Sequence, residues 1–228
     1  MTNHFDPASV DYEQALAHNL RHIPGGIDHY YANRARIAAN AVSDPSATCR
    51  VLDFGGGIGL AYKHLRRQFP NAEISIFDTS ADSVRRALAS NEGLRAVSPE
   101  IFDDLGCDLV FVAGVVHHVA AAERQQLIHT LSRCTKRNGR IAIFELNPLN
   151  PVTRRLVRLC PFDSDADLLS RGKLRHLVRQ VPGIRVESTG FTVFFPPAFR
   201  FLLKFERYLR WLPLGAQYYI VLTKISDQ

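Results

Sequence analysis

Apolar residues fall in two alternating rhythms through the middle of the chain. Val51-Leu52, Ile74–Phe77 and Leu109–Val116 are short and dense, while Leu60, Ala61, His64, Leu65 and Phe69 recur at helical spacing. Dense short runs suit strands and the wider spacing suits amphipathic helices. The pattern predicts a strand over Arg50–Asp53, a helix over Leu60–Phe69 closed by Pro70-Asn71, and a strand over Glu73–Phe77. A helix from Ser80 or Ala81 to the Asn91–Gly93 stop comes next, then a short strand at Leu94–Val97. Asp108–Val116 is apolar almost throughout, as a strand covered on both faces must be. Ala120–Cys134 reads as an amphipathic helix stopped by Asn138-Gly139, and Arg140–Leu146 as a fifth strand. Strands separated by helices require a parallel sheet.

The two ends differ in texture. Residues 7–45 read as helices broken at Pro24-Gly25-Gly26, with helical periodicity resuming after Tyr30. Asn147-Pro148-Leu149-Asn150-Pro151 cannot be regular structure, because its prolines lack donors and restrict their neighbours. Basic helical stretches follow at Val152–Leu159 and Leu168–Val181, then a strand at Arg185–Phe195, a break at Pro196-Pro197, a helix at Phe199–Leu212 and a strand at Gln217–Lys224. The expected organisation is one domain, 1–228: a helical cap over 1–47, a core over 48–147, and acceptor-side helices with a terminal hairpin over 148–228.

Charge changes the picture only in the last third. Residues 1–150 hold 15 basic and 16 acidic side chains, whereas residues 151–228 hold 13 and 6. A near-neutral core argues against a uniformly basic nucleic-acid binder, and a basic tail suits an anionic acceptor or surface. No apolar run reaches the length of about 18 residues that a spanning helix needs, and the N-terminus lacks a secretory layout. Cys49, Cys107, Cys134 and Cys160 are scattered without ligand spacing, so free thiols in the cytoplasm and no metal are expected.

The chemistry concentrates in Asp53-Phe54-Gly55-Gly56-Gly57-Ile58-Gly59. A strand, a glycine loop and a helix start together form a nucleotide-binding corner. Dinucleotide dehydrogenases use G-x-G-x-x-G, but here Leu60 stands at the third glycine position. D-x-G-x-G-x-G instead resembles the first motif of class I S-adenosylmethionine-dependent methyltransferases, including the small-molecule type 11/12 group. The resemblance covers roughly residues 48–147 and, less specifically, 185–224. It implies an α/β fold: a Rossmann-like, seven-stranded, mostly parallel sheet with helices on both faces. An N-terminal helical cap and helical insertions after strands 5 and 6 complete it.

The resemblance also assigns residues. Gly55, Gly57 and Gly59 would line S-adenosylmethionine, and Asp53 would sit near its ammonium. Asp78, 19 residues beyond Gly59, would accept the ribose hydroxyls; capping the next helix is the plainer alternative. Asp103 or Asp104 would face the adenine amine, though a solvated turn is an equal reading. Ala113 and Gly114 would present backbone to the cofactor, and Tyr30 or Arg34 on the cap would reach its carboxylate. Ala113-Gly114-Val115-Val116-His117-His118 is similar to the V-x-H-H ending of many small-molecule methyltransferases, where nucleic-acid amino-methyltransferases carry N-P-P-Y. His117 and His118 are therefore the candidate bases, with one of the two expected to be structural. Similar bacterial enzymes often carry histidine before Asn-Pro, where this chain has Leu146.

The implied activity is methyl transfer to an oxygen of a small, lipid-like or aromatic acceptor in biosynthesis. Transfer to carbon or nitrogen, and a non-catalytic cofactor-binding scaffold, use the same residues. Phe199–Leu212 is apolar over most of a helical circumference, with Arg200, Lys204 and Arg207 on one stripe. Such a helix buries itself in the core, in a homodimer, in an acceptor cavity or at the inner face of the membrane.

Overall fold

A computed structural model of the chain describes residues 26–159, 166–195 and 197–226. The expected helix before Pro24 and the Cys160-Pro161-Phe162-Asp163 stretch lie outside the described residues. Seven strands form one sheet: β1 (Arg50–Phe54), β2 (Glu73–Phe77), β3 (Arg95–Ala96), β4 (Cys107–Ala113), β5 (Thr135–Leu146), β6 (Ile184–Thr192) and β7 (Gln217–Lys224). Their order is β3-β2-β1-β4-β5-β7-β6, with β7 antiparallel to both neighbours and the rest parallel. The helices are α1 (Gly26–Ala39), α2 (Tyr62–Gln68), α3 (Ala81–Ser90), α4 (Arg124–Cys134), α5 (Pro151–Leu159) and α6 (Arg171–Arg179).

Strand alternation separates two cores. Val51, Phe111 and Phe144 face one side with Ala38 of α1, Leu65 of α2 and Ala87 of α3. Leu52, Val110, Val112 and Ile143 face the other with Ile128 of α4 and Leu174 of α6. Both faces are covered, which is why β4 is apolar throughout. The chain leaves β1 for β2 and β3 on one side, then returns to β4 on the other. At such a reversal the loops after neighbouring strands diverge and leave a crevice at their carboxyl ends.

Two expected elements take a different form. The helix before β5 does end at Cys134, but Asn138-Gly139 is not its stop: β5 already begins at Thr135. Asn138 takes φ +61° and the β4–β5 register shifts between Cys107 and Leu109. A side-chain carbon at Gly139 would lie 2.7 Å from the Cys107 carbonyl, so the pair forms a bulge within a strand. Residues 199–212 are not an α-helix either. Pro197–Tyr208 is a run of 3₁₀ turns kinked at Phe199. The segment is held to β6 by Phe191 N–H donating to the Arg210 carbonyl and Phe194 N–H donating to the buried Glu206 carboxylate. Those tethers replace the regular ladder that the apolar spacing predicts.

Candidate active site

The glycine loop leaves β1 and is tied at once to β2, since Gly55 and Gly56 N–H both donate to the Phe77 carbonyl. Gly55, Gly57 and Gly59 have φ of +70°, +54° and +79°. Gly57 shows what the loop is for: the left-handed backbone suits glycine, and a side-chain carbon there would meet nothing within 4 Å. Among the described residues no neighbouring group demands that glycine, so the space above it suits a bound molecule.

Asp78 stands just beyond β2. Its Oδ2 accepts Gly57 N–H at 2.8 Å and its Oδ1 accepts Ser80 N–H at 2.9 Å. The cap of α3 is Ser80, whose hydroxyl accepts Ser83 N–H, so Asp78 is not the capping residue. It buttresses the loop at its most open point.

Asp53 is the penultimate residue of β1, paired in register with Ile76 of β2 and Phe111 of β4. It is buried, and no donor is bonded to its carboxylate among the described residues. Burial and then the neighbouring Asp78 charge raise its pKa to about 7, against the opposing pull of Arg34. A buried carboxylate without donors is unfavourable unless a cation approaches it. A ligand ammonium meets that requirement, so the residues fit the amino-acid end of S-adenosylmethionine.

Arg34 comes from α1 and is equally buried. Its Nε donates to Gln217 Oε1 at 3.2 Å, Nη2 donates to the Tyr30 hydroxyl at 2.5 Å, and the guanidinium carbon lies 3.9 Å from the Tyr30 ring centroid. Asn33 beside it donates to Thr192 Oγ1 at 2.7 Å. These bonds dock α1 onto the ends of β6 and β7, over the crevice.

The ends of β4 and β5 supply the remaining chemistry. Gly114, at φ +75°, follows β4, and a side-chain carbon there would stand 3.7 Å from His117 Cε1. His117 is buried in a 3₁₀ turn, and its Nδ1 lies 2.6 Å from Glu145 Oε2. Glu145 Oε1 accepts Val115 N–H at 3.1 Å and Val116 N–H at 2.8 Å. Burial opposes the Glu145 charge, but His117 and the Val116 N–H more than offset it, holding the carboxyl below its usual range. An ionised carboxylate only accepts, so His117 Nδ1 carries a proton, and the neutral form of the ring has its lone pair on Nε2. His118 is half-buried, its ring centroid 4.2 Å from that of His117.

The adenine side is less complete. Arg133 of α4 bonds both oxygens of Asp103, at 2.6 and 2.5 Å, and so commits that acid to α4. Asp104 is exposed and carries no such bond among the described residues. Phe102 is buried edge-on to Phe77, with centroids 5.0 Å apart.

Glu145 and Gln217 escape a reading based on motifs. The signal for Glu145 is a single acid within Ile141–Leu146, a run otherwise apolar enough to be buried. Gln217 has no comparable signal, because only docking of α1 brings Arg34 to it.

Residues 52–141 match the Methyltransf_12 family model, described as a methyltransferase domain. No curated protein sequence is matched. Among solved structures, a SAM-dependent methyltransferase from Archaeoglobus fulgidus superposes with a TM-score of 0.65 at 16% identity, over 94% of this chain and 100% of that one. A Haloferax volcanii methyltransferase, solved in complex with its Trm112 activator, gives 0.66 at 17% identity over 96% and 97%. The mitomycin 7-O-methyltransferase MmcR gives 0.61 at 16% identity over 86% of this chain and 54% of that one. The chain therefore has the fold of S-adenosylmethionine-dependent methyltransferases, its residues 52–141 match a methyltransferase domain, and the crevice over the glycine loop fits that cofactor. Identities this low convey the fold and leave the acceptor to be argued from the site.

Proposed function

We propose that the protein methylates an oxygen of a small or lipid-like acceptor, with His117 as the base. The observation that supports this is the buried His117–Glu145 pair beside Gly114, where the ends of β4 and β5 meet. Asp78 and the glycine loop would hold the ribose, Asp53 the ammonium, and Arg34 with Tyr30 the carboxylate; Ala113 and Gly114 would line the cofactor, and Asp104 remains the acid for the adenine. When bound, the cofactor supplies an electrophilic methyl group on a sulfonium. His117 Nε2 accepts the proton of an acceptor hydroxyl, and Glu145 stabilises the imidazolium charge that results. His118 shapes the acceptor side of the same turn. The mitomycin enzyme, an O-methyltransferase by name, is among the structures that share the fold.

Among the described residues the free thiols Cys49, Cys107 and Cys134 are buried, which suits the reducing cytoplasm. No helix among the described residues is long and apolar enough to cross a membrane.

Transfer of label from methyl-labelled S-adenosylmethionine into a host-cell extract, partitioned into organic, aqueous, protein and nucleic-acid fractions, tests the reading. Label in an organic-soluble ester or ether is expected. Label bound to nitrogen or carbon would replace the oxygen assignment, and tight cofactor binding without transfer would favour a scaffold.

A further inference from the structure

Nine of the twelve well-exposed large apolar side chains among the described residues lie in two short segments. One is 149–159 and the other is 199–214. In α5, Val152, Leu156 and Leu159 share one face, while Arg154, Arg155 and Arg158 line the side next to it. An amphipathic helix of a globular protein turns its apolar face to the core. Here Val152 and Leu159 face outward at 59% and 66% exposure, and the side chain that anchors the helix is the buried Thr153. Its hydroxyl donates to the Ala216 carbonyl at 3.0 Å.

The second segment adjoins the first through side-chain amides. Asn147 Nδ2 donates to the Gly215 carbonyl at 2.8 Å, and Asn150 Nδ2 donates to the Leu214 carbonyl at 2.6 Å. Phe201, Phe205, Tyr208 and Trp211 are all exposed there, Trp211 to 71%. Cations lie against the rings: Lys204 Nζ is 5.3 Å from the Phe205 centroid and the Arg207 guanidinium 4.7 Å from that of Tyr208. The one acid in either segment, Glu206, is buried and bonded to Phe194 N–H. No ion pair holds Arg154, Arg155 or Arg158 among the described residues.

We infer that these two segments form one surface that docks on an anionic lipid bilayer. Three properties select that occupant. Tryptophan, tyrosine and phenylalanine are the side chains that settle at the headgroup boundary. Basic residues interleave with them and no exposed acid lies within either segment, which matches anionic headgroups. The apolar groups protrude singly from turns and a short helix, so they suit insertion into a fluid interface. The surface stands independently of the proposed base and acceptor, since none of its residues belongs to the cofactor crevice.

Trp211 is the only tryptophan of the chain and therefore reports on this face alone. The full-length protein is mixed with vesicles of phosphatidylcholine alone or of phosphatidylcholine with phosphatidylglycerol, and both Trp211 emission and co-sedimentation are followed. Co-sedimentation with the anionic vesicles and a blue shift of Trp211 are expected, weakened by salt. The double charge reversal Arg154→Glu, Arg158→Glu should reduce partitioning roughly tenfold or more, and Phe201→Ser should reduce the blue shift, with cofactor affinity unchanged as the folding control. Sedimentation without a shift would place the contact elsewhere and overturn the inference, as would equal binding to both vesicles. A shielded Trp211 in the lipid-free protein, with a dimeric mass by sedimentation equilibrium, would overturn it in favour of a second copy of the chain. Absence of any binding would overturn it outright, whether or not methyl transfer is found.

Discussion

Glu145 Oε2 lies 2.6 Å from His117 Nδ1, and the other oxygen of the same carboxylate receives Val115 and Val116 N–H. One buried acid thus fixes both the path of the β4 turn and the tautomer of the histidine within it. An amide in place of the acid would present an N–H to Nδ1 and shift the ring proton to Nε2. Glu145→Gln and His117→Asn should each lower kcat for a hydroxyl acceptor by about 10²-fold or more, with cofactor affinity retained. Steady-state rates across pH, together with titration calorimetry, check this. Full activity in Glu145→Gln would remove His117 from the role of base.

Asp78 offers a direct test of the cofactor crevice. Asp78→Ala removes the acceptor for Gly57 N–H and the expected partner of the ribose hydroxyls. Calorimetry should show S-adenosylmethionine binding weakened by roughly 1.5–3 kcal/mol, the worth of hydrogen bonds to a charged group. Unchanged affinity would remove Asp78 from the ribose site.

Gly57→Ala separates the fold from the ligand. A side-chain carbon there touches nothing among the described residues, so its structural cost is the left-handed backbone alone, about 1–2 kcal/mol. The variant should remain folded, with a modestly lowered melting temperature, yet lose cofactor binding. If it binds normally, the space above Gly57 belongs to something else.

Asp53 predicts a pH dependence with a definite sign. Its folded pKa of about 7 lies above the ordinary carboxylate value of 3.8. The folded protein therefore holds a proton that the unfolded chain releases, and this group's contribution to stability declines as pH rises from about 4 to about 7. Binding an ammonium needs the ionised acid, so cofactor affinity should rise with pH and level off above about 7. Affinity at pH 6 should be about tenfold weaker than at pH 8. Asp53→Asn should flatten that profile, and Arg34→Met should move its limb to higher pH, because Arg34 is the group that favours the Asp53 charge. A flat profile in the unaltered protein would disconnect Asp53 from the ammonium.

How much of this was legible in one dimension follows from how far each interaction reaches. Strand and helix identity over 50–146 depends on the spacing of neighbours, so Val51, Ile76 and Val110 already mark the sheet. The glycine loop needs Gly55, Gly57 and Gly59 within five residues, and the two histidines after β4 are adjacent, so both were readable. Long-range pairings were not. Glu145 meets His117 across 28 positions, Arg34 meets Gln217 across 183, and Asp103 is diverted to Arg133 across 30. Such contacts depend on strand order and helix docking, which no local spacing encodes. The same limit explains residues 199–212: apolar periodicity described a helix, but tethers from Phe191 and Phe194 drew the segment into 3₁₀ turns and left its aromatic rings outside. Local composition determined the cofactor loop and the basic, aromatic character of the tail. Only tertiary packing decided which carboxylates are buried, which acid orients the histidine, and which apolar side chains remain in contact with water.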